Sequence, residues 1–133
     1  MVLFDSEYIH VEYYAEHHVL VSQWCGGCSS EEYREAVTMT SNYIRKMNIP
    51  FAISDRRLLH PLSVEDLRWT GTDFLKEFSQ LPLKRFAIIN CFDEAAAKQL
   101  HYFLHSKRYP LPFEAQVFED LTSAYEWLVS VEA

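Results

Sequence analysis

Short apolar runs alternate with amphipathic helical stretches along most of this chain, and that alternation constrains the fold more than any motif does. Tyr8 to Tyr14 and Val19 to Trp24 read as strands. Ile9, Val11 and Tyr13 alternate with His10, Glu12 and Tyr14, and Val19 and Val21 alternate with Leu20 and Ser22. The short polar link Ala15-Glu16-His17-His18 makes the pair an antiparallel hairpin. Ser29 with Glu32 three residues on matches a capping box and opens a helix to about Met47. Tyr33, Ala36, Val37, Thr40, Ile44 and Met47 form its buried stripe, and Asn48 and Pro50 end it.

Phe51-Ala52-Ile53-Ser54 is a buried strand ending at Asp55, followed by a loop from Arg56 to Leu62. Ser63, with Asp66 three residues on, caps a second helix. Leu67, Phe74, Leu75 and Phe78 face inward there, and Gly71 weakens its middle. Arg85 to Asn90 is a third buried strand, and Asp93 opens a helix with Ala96, Leu100 and Phe103 inward. Pro110 and Pro112 break the chain before a last strand, Ala115 to Phe118, and a last helix, Leu121 to Val131. That helix carries Ala124, Trp127, Leu128 and Val131 on one face.

The order is ββαβαβαβα. Strands separated by helices imply right-handed parallel crossovers. The expectation is an α/β domain spanning residues 1–133, with a mixed five-stranded sheet whose first strand is antiparallel. Functional residues in such sheets gather beyond the carboxyl ends of the parallel strands. Those ends are Trp24 to Cys28, Asp55 to Leu62, Asn90 to Asp93, and Glu119-Asp120.

Composition removes several function classes. The chain has 133 residues, enough for one domain, and 49% of them are hydrophobic, enough for a core without disulfide staples. A net charge of −7 with no basic run argues against nucleic-acid binding and against anionic membranes. Residues 1–14 carry Asp5, Glu7 and Glu12 and do not have the pattern of a signal peptide, and no apolar stretch is long enough to span a bilayer. The expected location is cytoplasmic, where three cysteines stay mostly reduced.

Trp24-Cys25-Gly26-Gly27-Cys28 is the most conspicuous motif. It sits where a strand becomes a helix, and a helix N-terminus stabilises a thiolate. A resolving thiol three residues away suits disulfide exchange, so Cys25 and Cys28 are redox candidates. The strands after the motif are each separated by a helix, unlike the thioredoxin arrangement. The same pair supplies only two of the four ligands zinc needs, and His101 and His105 lie elsewhere, on a helix flank. Cys91 reads as a small buried hydrophobe at a strand end.

The hairpin ending in Trp24, the helix entry Ser30-Glu31-Glu32-Tyr33 and the strand exit Ser54-Asp55-Arg56-Arg57 together resemble a known group. Ser63-Val64-Glu65-Asp66 with Trp69, Phe86-Ala87-Ile88 and Ala124-Tyr125-Glu126-Trp127-Leu128 continue the likeness over nearly the whole chain. The group is the STAS-like small bacterial proteins, related to anti-sigma-factor antagonists and loosely to CRAL-TRIO lipid-binding domains. The resemblance implies a regulatory or binding module rather than a catalyst. It makes Ser63, near the start of the helix after the third strand, the candidate for phosphorylation.

Asp55, Arg56 and Arg57 are candidates for a polar pocket in which an arginine recognises carboxylate or phosphate, or for a loop cap with one arginine paired to the aspartate. His60 is the acid–base group of the same loop, without an evident partner. Trp24 and Trp69 are candidates for a pocket lining or an interface, Trp69 lying off the helical stripe. There is no acid–base pair, nucleotide loop or complete metal set, so no cofactor is expected. Three readings follow: a non-enzymatic STAS-like module binding a protein partner or small ligand, a thiol–disulfide protein, and a lipid or apolar-ligand carrier. A homodimer through the exposed edge of the N-terminal hairpin is a further expectation.

Overall fold

The computed structural model of the protein describes residues 1–105 and 110–130. Its sheet has six strands, not five: β1 (Val2–Asp5), β2 (Ile9–Tyr14), β3 (Val19–Trp24), β4 (Phe51–Asp55), β5 (Arg85–Ile89) and β6 (Glu114–Phe118). Spatial order equals chain order. β1, β2 and β3 form an antiparallel meander, and β3 to β6 are parallel. The added strand is β1. It pairs along the outer side of β2, so the hairpin edge expected to be open for a homodimer is covered.

The helices are α1 (Ser30–Met47), α2 (Val64–Trp69), α3 (Leu75–Phe78), α4 (Glu94–Leu104) and α5 (Leu121–Val129). The Ser29 capping box is present in full, and Asn48 ends α1 in the left-handed conformation at φ 53°. The helix expected from Ser63 onward does start on a Ser63 cap, but a π-helical turn, Thr70–Phe74, divides α2 from α3 around Gly71. Ser41 belongs to the buried stripe of α1, where Thr40 and Met47 are half-buried. Ala124 and Leu128 of α5 are fully buried; Val131, expected on the same face, lies outside the described residues.

Because the parallel strands run in one direction and each crossover is right-handed by rule, every crossover helix lands on one face. α1, α2, α3 and α4 cover that face, and α5 covers the other. Alternate strand residues therefore feed two different cores. Val19, Phe51, Ile53, Ala87 and Ile89 meet α5. Leu20, Trp24 and Ala52 meet α1 and the helices after it. The hairpin tip is tied to α5 by His17 Nδ1 and the Tyr125 hydroxyl, 2.9 Å apart. No helix among the described residues is long and apolar enough to cross a membrane.

Candidate functional site

Between the crossover face of the sheet and its helices lies a cavity of about 330 Å³, open to the outside on part of its boundary. Its floor is three rows of the sheet. Leu20, Ala52 and Phe86 form one row, Ser22, Ser54 and Ile88 the next, and Trp24 and Arg56 the last, at the carboxyl edge. Strand periodicity of two puts these residues on one side, and three of them are Ala or Ser. Small side chains on the floor leave a gap that the helices above do not fill. Val37 and Ile44 of α1, Phe74 in the π turn, Leu75 and Leu100 form the walls and roof.

A continuous aromatic series supplies Trp24, Tyr33, Phe74, Phe78 and Phe86 to the lining, while Trp69, within the series, is not among the lining residues. Trp24 stacks on Tyr33 with centroids 5.6 Å apart, and Tyr33 meets Trp69 edge-on at 6.2 Å. Trp69 stacks on Phe74 at 5.7 Å, Phe74 on Phe78 at 5.5 Å, and Phe78 meets Phe86 edge-on at 4.9 Å. Each such pair adds about 0.5–1.5 kcal/mol beyond area burial. Trp24 is thus a buried wall residue. Trp69 is half-buried, with the Arg34 guanidinium 5.2 Å from its ring centre.

The polar groups cluster toward the carboxyl edge. Asp55 is buried and takes both ends of the Arg57 guanidinium, Nε at 3.0 Å and Nη2 at 2.7 Å. Its Oδ1 also accepts the Arg57 backbone N–H at 3.2 Å, closing the turn. Of the two arginines, Arg57 is the one paired, and the pairing raises its pKa further. Arg56 lines the cavity, and its buried Nε has no hydrogen-bond partner among the described residues. Burial raises the pKa of Tyr33 and of Cys91, and the nearby Arg56 charge opposes the rise in both.

Tyr33 and Thr70 are joined hydroxyl to hydroxyl at 2.8 Å, and Thr70 donates to the Asp66 carbonyl at 2.7 Å. With the Thr70 proton so used, Tyr33 donates to Thr70, and its lone pairs face the Arg56 guanidinium. The Asp66 carboxylate accepts from Ser30 at 2.6 Å and from Arg34 Nε at 2.9 Å. Burial pushes the Asp66 carboxyl up, but the Ser30, Arg34 and Ser63 donors outweigh it and hold its pKa below the ordinary 3.8. Asp66 was legible only as a capping position, and its link between α1 and α2 was missed.

A second cleft of about 250 Å³ lies on the other side of Tyr33, bordered by Gly27, Cys28, His60, Ser63 and Asp66. His60 is exposed and its ring lies against Gly27; a Cβ there would fall 2.6 Å from Nδ1 and would make the exposed ring swing aside. Ser63 is occupied as the α2 cap, accepting from the Asp66 N–H at 3.1 Å.

The geometry does not favour the exchange chemistry expected of Cys25 and Cys28. Both thiols are free. The α1 cap is Ser29, whose hydroxyl takes the Glu32 N–H while Glu32 takes the Ser29 N–H at 2.8 Å. Cys28 precedes that closed box and gains no thiolate donor from it. Burial instead pushes its thiol up, and Glu32 and Asp66 push the same way. Cys91 is buried just past the end of β5, and the exposed rings of His101 and His105 lie 4.0 Å apart, tilted by 37°, at the C-terminal end of α4.

No family model and no curated protein matches the chain. Among solved structures it is similar to an uncharacterised protein of the DUF3478 family with a SpoIIAA-like fold from Shewanella loihica PV-4. The TM-score is 0.59 at 22% identity, over 95% of this chain and 98% of that one. The likeness extends over both chains almost end to end and establishes the STAS-like, SpoIIAA-like fold.

Proposed function

We propose that the chain is a non-enzymatic binding module of STAS type whose recognition element is the interior cavity of the crossover face. The observation that carries this reading is the 330 Å³ space bounded by strand residues on one side and an aromatic series on the other. Ligand sites have this character: concave, mostly apolar, with a few converging polar groups. No Asp, Glu, His, Cys or Lys is among the described residues lining it, so the described walls carry no carboxylate, imidazole, thiol or amine. The SpoIIAA-like fold of the Shewanella protein supports a regulatory role for such a module.

The test is NMR mapping with 1-decanol, a neutral amphiphile. Saturable shifts at Ala52, Ser54 and Phe86 are expected. Shifts confined to surface residues, or no saturation, overturn the reading.

A further inference from the structure

Resting on the cavity reading, we infer that the ligand is a monocarboxylate amphiphile whose head is held by Arg56 and whose chain lies along the sheet floor toward Phe86. Three observations converge. Arg56 borders the cavity, and its Nε is buried without a partner among the described residues. A buried donor left unmade is costly, and a guanidinium is the donor best matched to a carboxylate. The one carboxylate next to it in the chain is already taken, since Asp55 is bidentate to Arg57. No ion pair among the described residues includes Arg56.

The surroundings fit an anion and no second charge. Tyr33 gives its proton to Thr70, so toward the cavity it accepts; the Arg56 guanidinium lies beside the Tyr33 hydroxyl and the Cys91 thiol, and its Nε is the donor left for an incoming oxygen. A single guanidinium balances a single negative charge, which selects a carboxylate over a phosphate dianion. Moving away from Arg56, the floor passes through Ser54 to Ala52 and Phe86, and the walls are aromatic and aliphatic. From Arg56 to Ala52 is four residues of strand, roughly 13 Å. At ~30 Å³ for a water-sized group, 330 Å³ holds about eleven such groups. A chain of about ten carbons with one carboxylate matches both the length and the volume.

Decanoate, methyl decanoate and 1-decanol, titrated calorimetrically into the full chain and into R56Q, test the inference. Decanoate is expected to bind the wild-type chain about 10- to 100-fold more tightly than either neutral compound. R56Q should remove that advantage, weakening decanoate more than 1-decanol or methyl decanoate. Equal affinity for all three compounds, or equal losses in R56Q, overturns the assignment of Arg56 while the cavity reading stands. If none of the three binds, the cavity reading itself fails and the assignment falls with it. Should R56Q not fold, the wild-type ratio of decanoate to methyl decanoate decides alone.

Discussion

The two faces of the sheet are made from alternate residues of the same strands, yet one is packed directly and the other borders a cavity. On the α5 face, Val19, Phe51, Ile53, Ala87 and Ile89 meet Ala124 and Leu128, and every one of these residues is at most 5% exposed. On the crossover face, Ala52, Ser22 and Ser54 occupy the equivalent central places. Val19, Phe51, Ile53 and Ile89 fill the space under a single helix. Small side chains, under helices set by three separate crossovers, do not. One strand can therefore supply stability on one side and a binding volume on the other.

The largest expected effect lies on the packed face. Leu128→Ala should destabilise the chain by about 3 kcal/mol, because a fully buried leucine is replaced where neighbours cannot collapse. A denaturant midpoint read against wild type measures it, and a loss under about 1 kcal/mol would mean that the α5 face is no better packed than the other.

On the hollow face, polar ties carry part of what packing carries opposite. Asp66→Asn should cost about 2 kcal/mol by weakening the bonds to Ser30 and Arg34. The depressed Asp66 pKa fixes the sign of the pH dependence. Its contribution is complete above the unfolded value and disappears as pH falls through the lower folded value. Acid unfolding curves of wild type and variant should therefore converge at low pH; parallel curves would remove Asp66 from the account.

Filling the cavity is the opposite experiment. Ser54→Val adds a β-branched side chain to a central strand facing the void, and should raise stability by about 0.5–1 kcal/mol while weakening 1-decanol binding. A destabilised variant would mean that the space is not available to a side chain.

The smallest effect belongs to neither face. His10 lies between Asp5 at 3.0 Å and Glu12 at 2.8 Å, where β1 joins β2. Its hydrogen bonds to Glu12 and then Asp5 raise its pKa from 6.5. The stabilisation is complete below the unfolded value and is lost as pH rises through the raised folded one. It should amount to less than ~1 kcal/mol, and hydrogen exchange at β1 should quicken across that window. An unchanged rate in His10→Gln and wild type alike would rule out the tie.

Much of the element order was legible in the sequence because three of the helices after the hairpin open on a side-chain cap, Ser29, Ser63 and Asp93. β1 was not legible. Four residues, Val2–Asp5, give too short an alternation to separate a strand from an apolar run. The cavity was hidden for a different reason. Phe51-Ala52-Ile53-Ser54 reads as uniformly buried, and all four residues are buried, but whether a helix fills the space over Ala52 and Ser54 depends on inter-element distances. Which arginine would pair with Asp55 was equally hidden, because strand direction at the turn points Arg57 back at the carboxylate and Arg56 into the interior.

The identity of spatial and chain order bears on how the molecule assembles during synthesis. Every strand joins the one made just before it, so the sheet can lengthen by accretion as the chain emerges, without waiting for a distant partner. The exception is α5, made after all six strands yet docking on β4 and β5 near the centre. Until it arrives, Phe51, Ile53, Ala87 and Ile89 form a bare apolar surface on an otherwise finished sheet. A nascent chain halted before Leu121 should therefore be the species most in need of a chaperone.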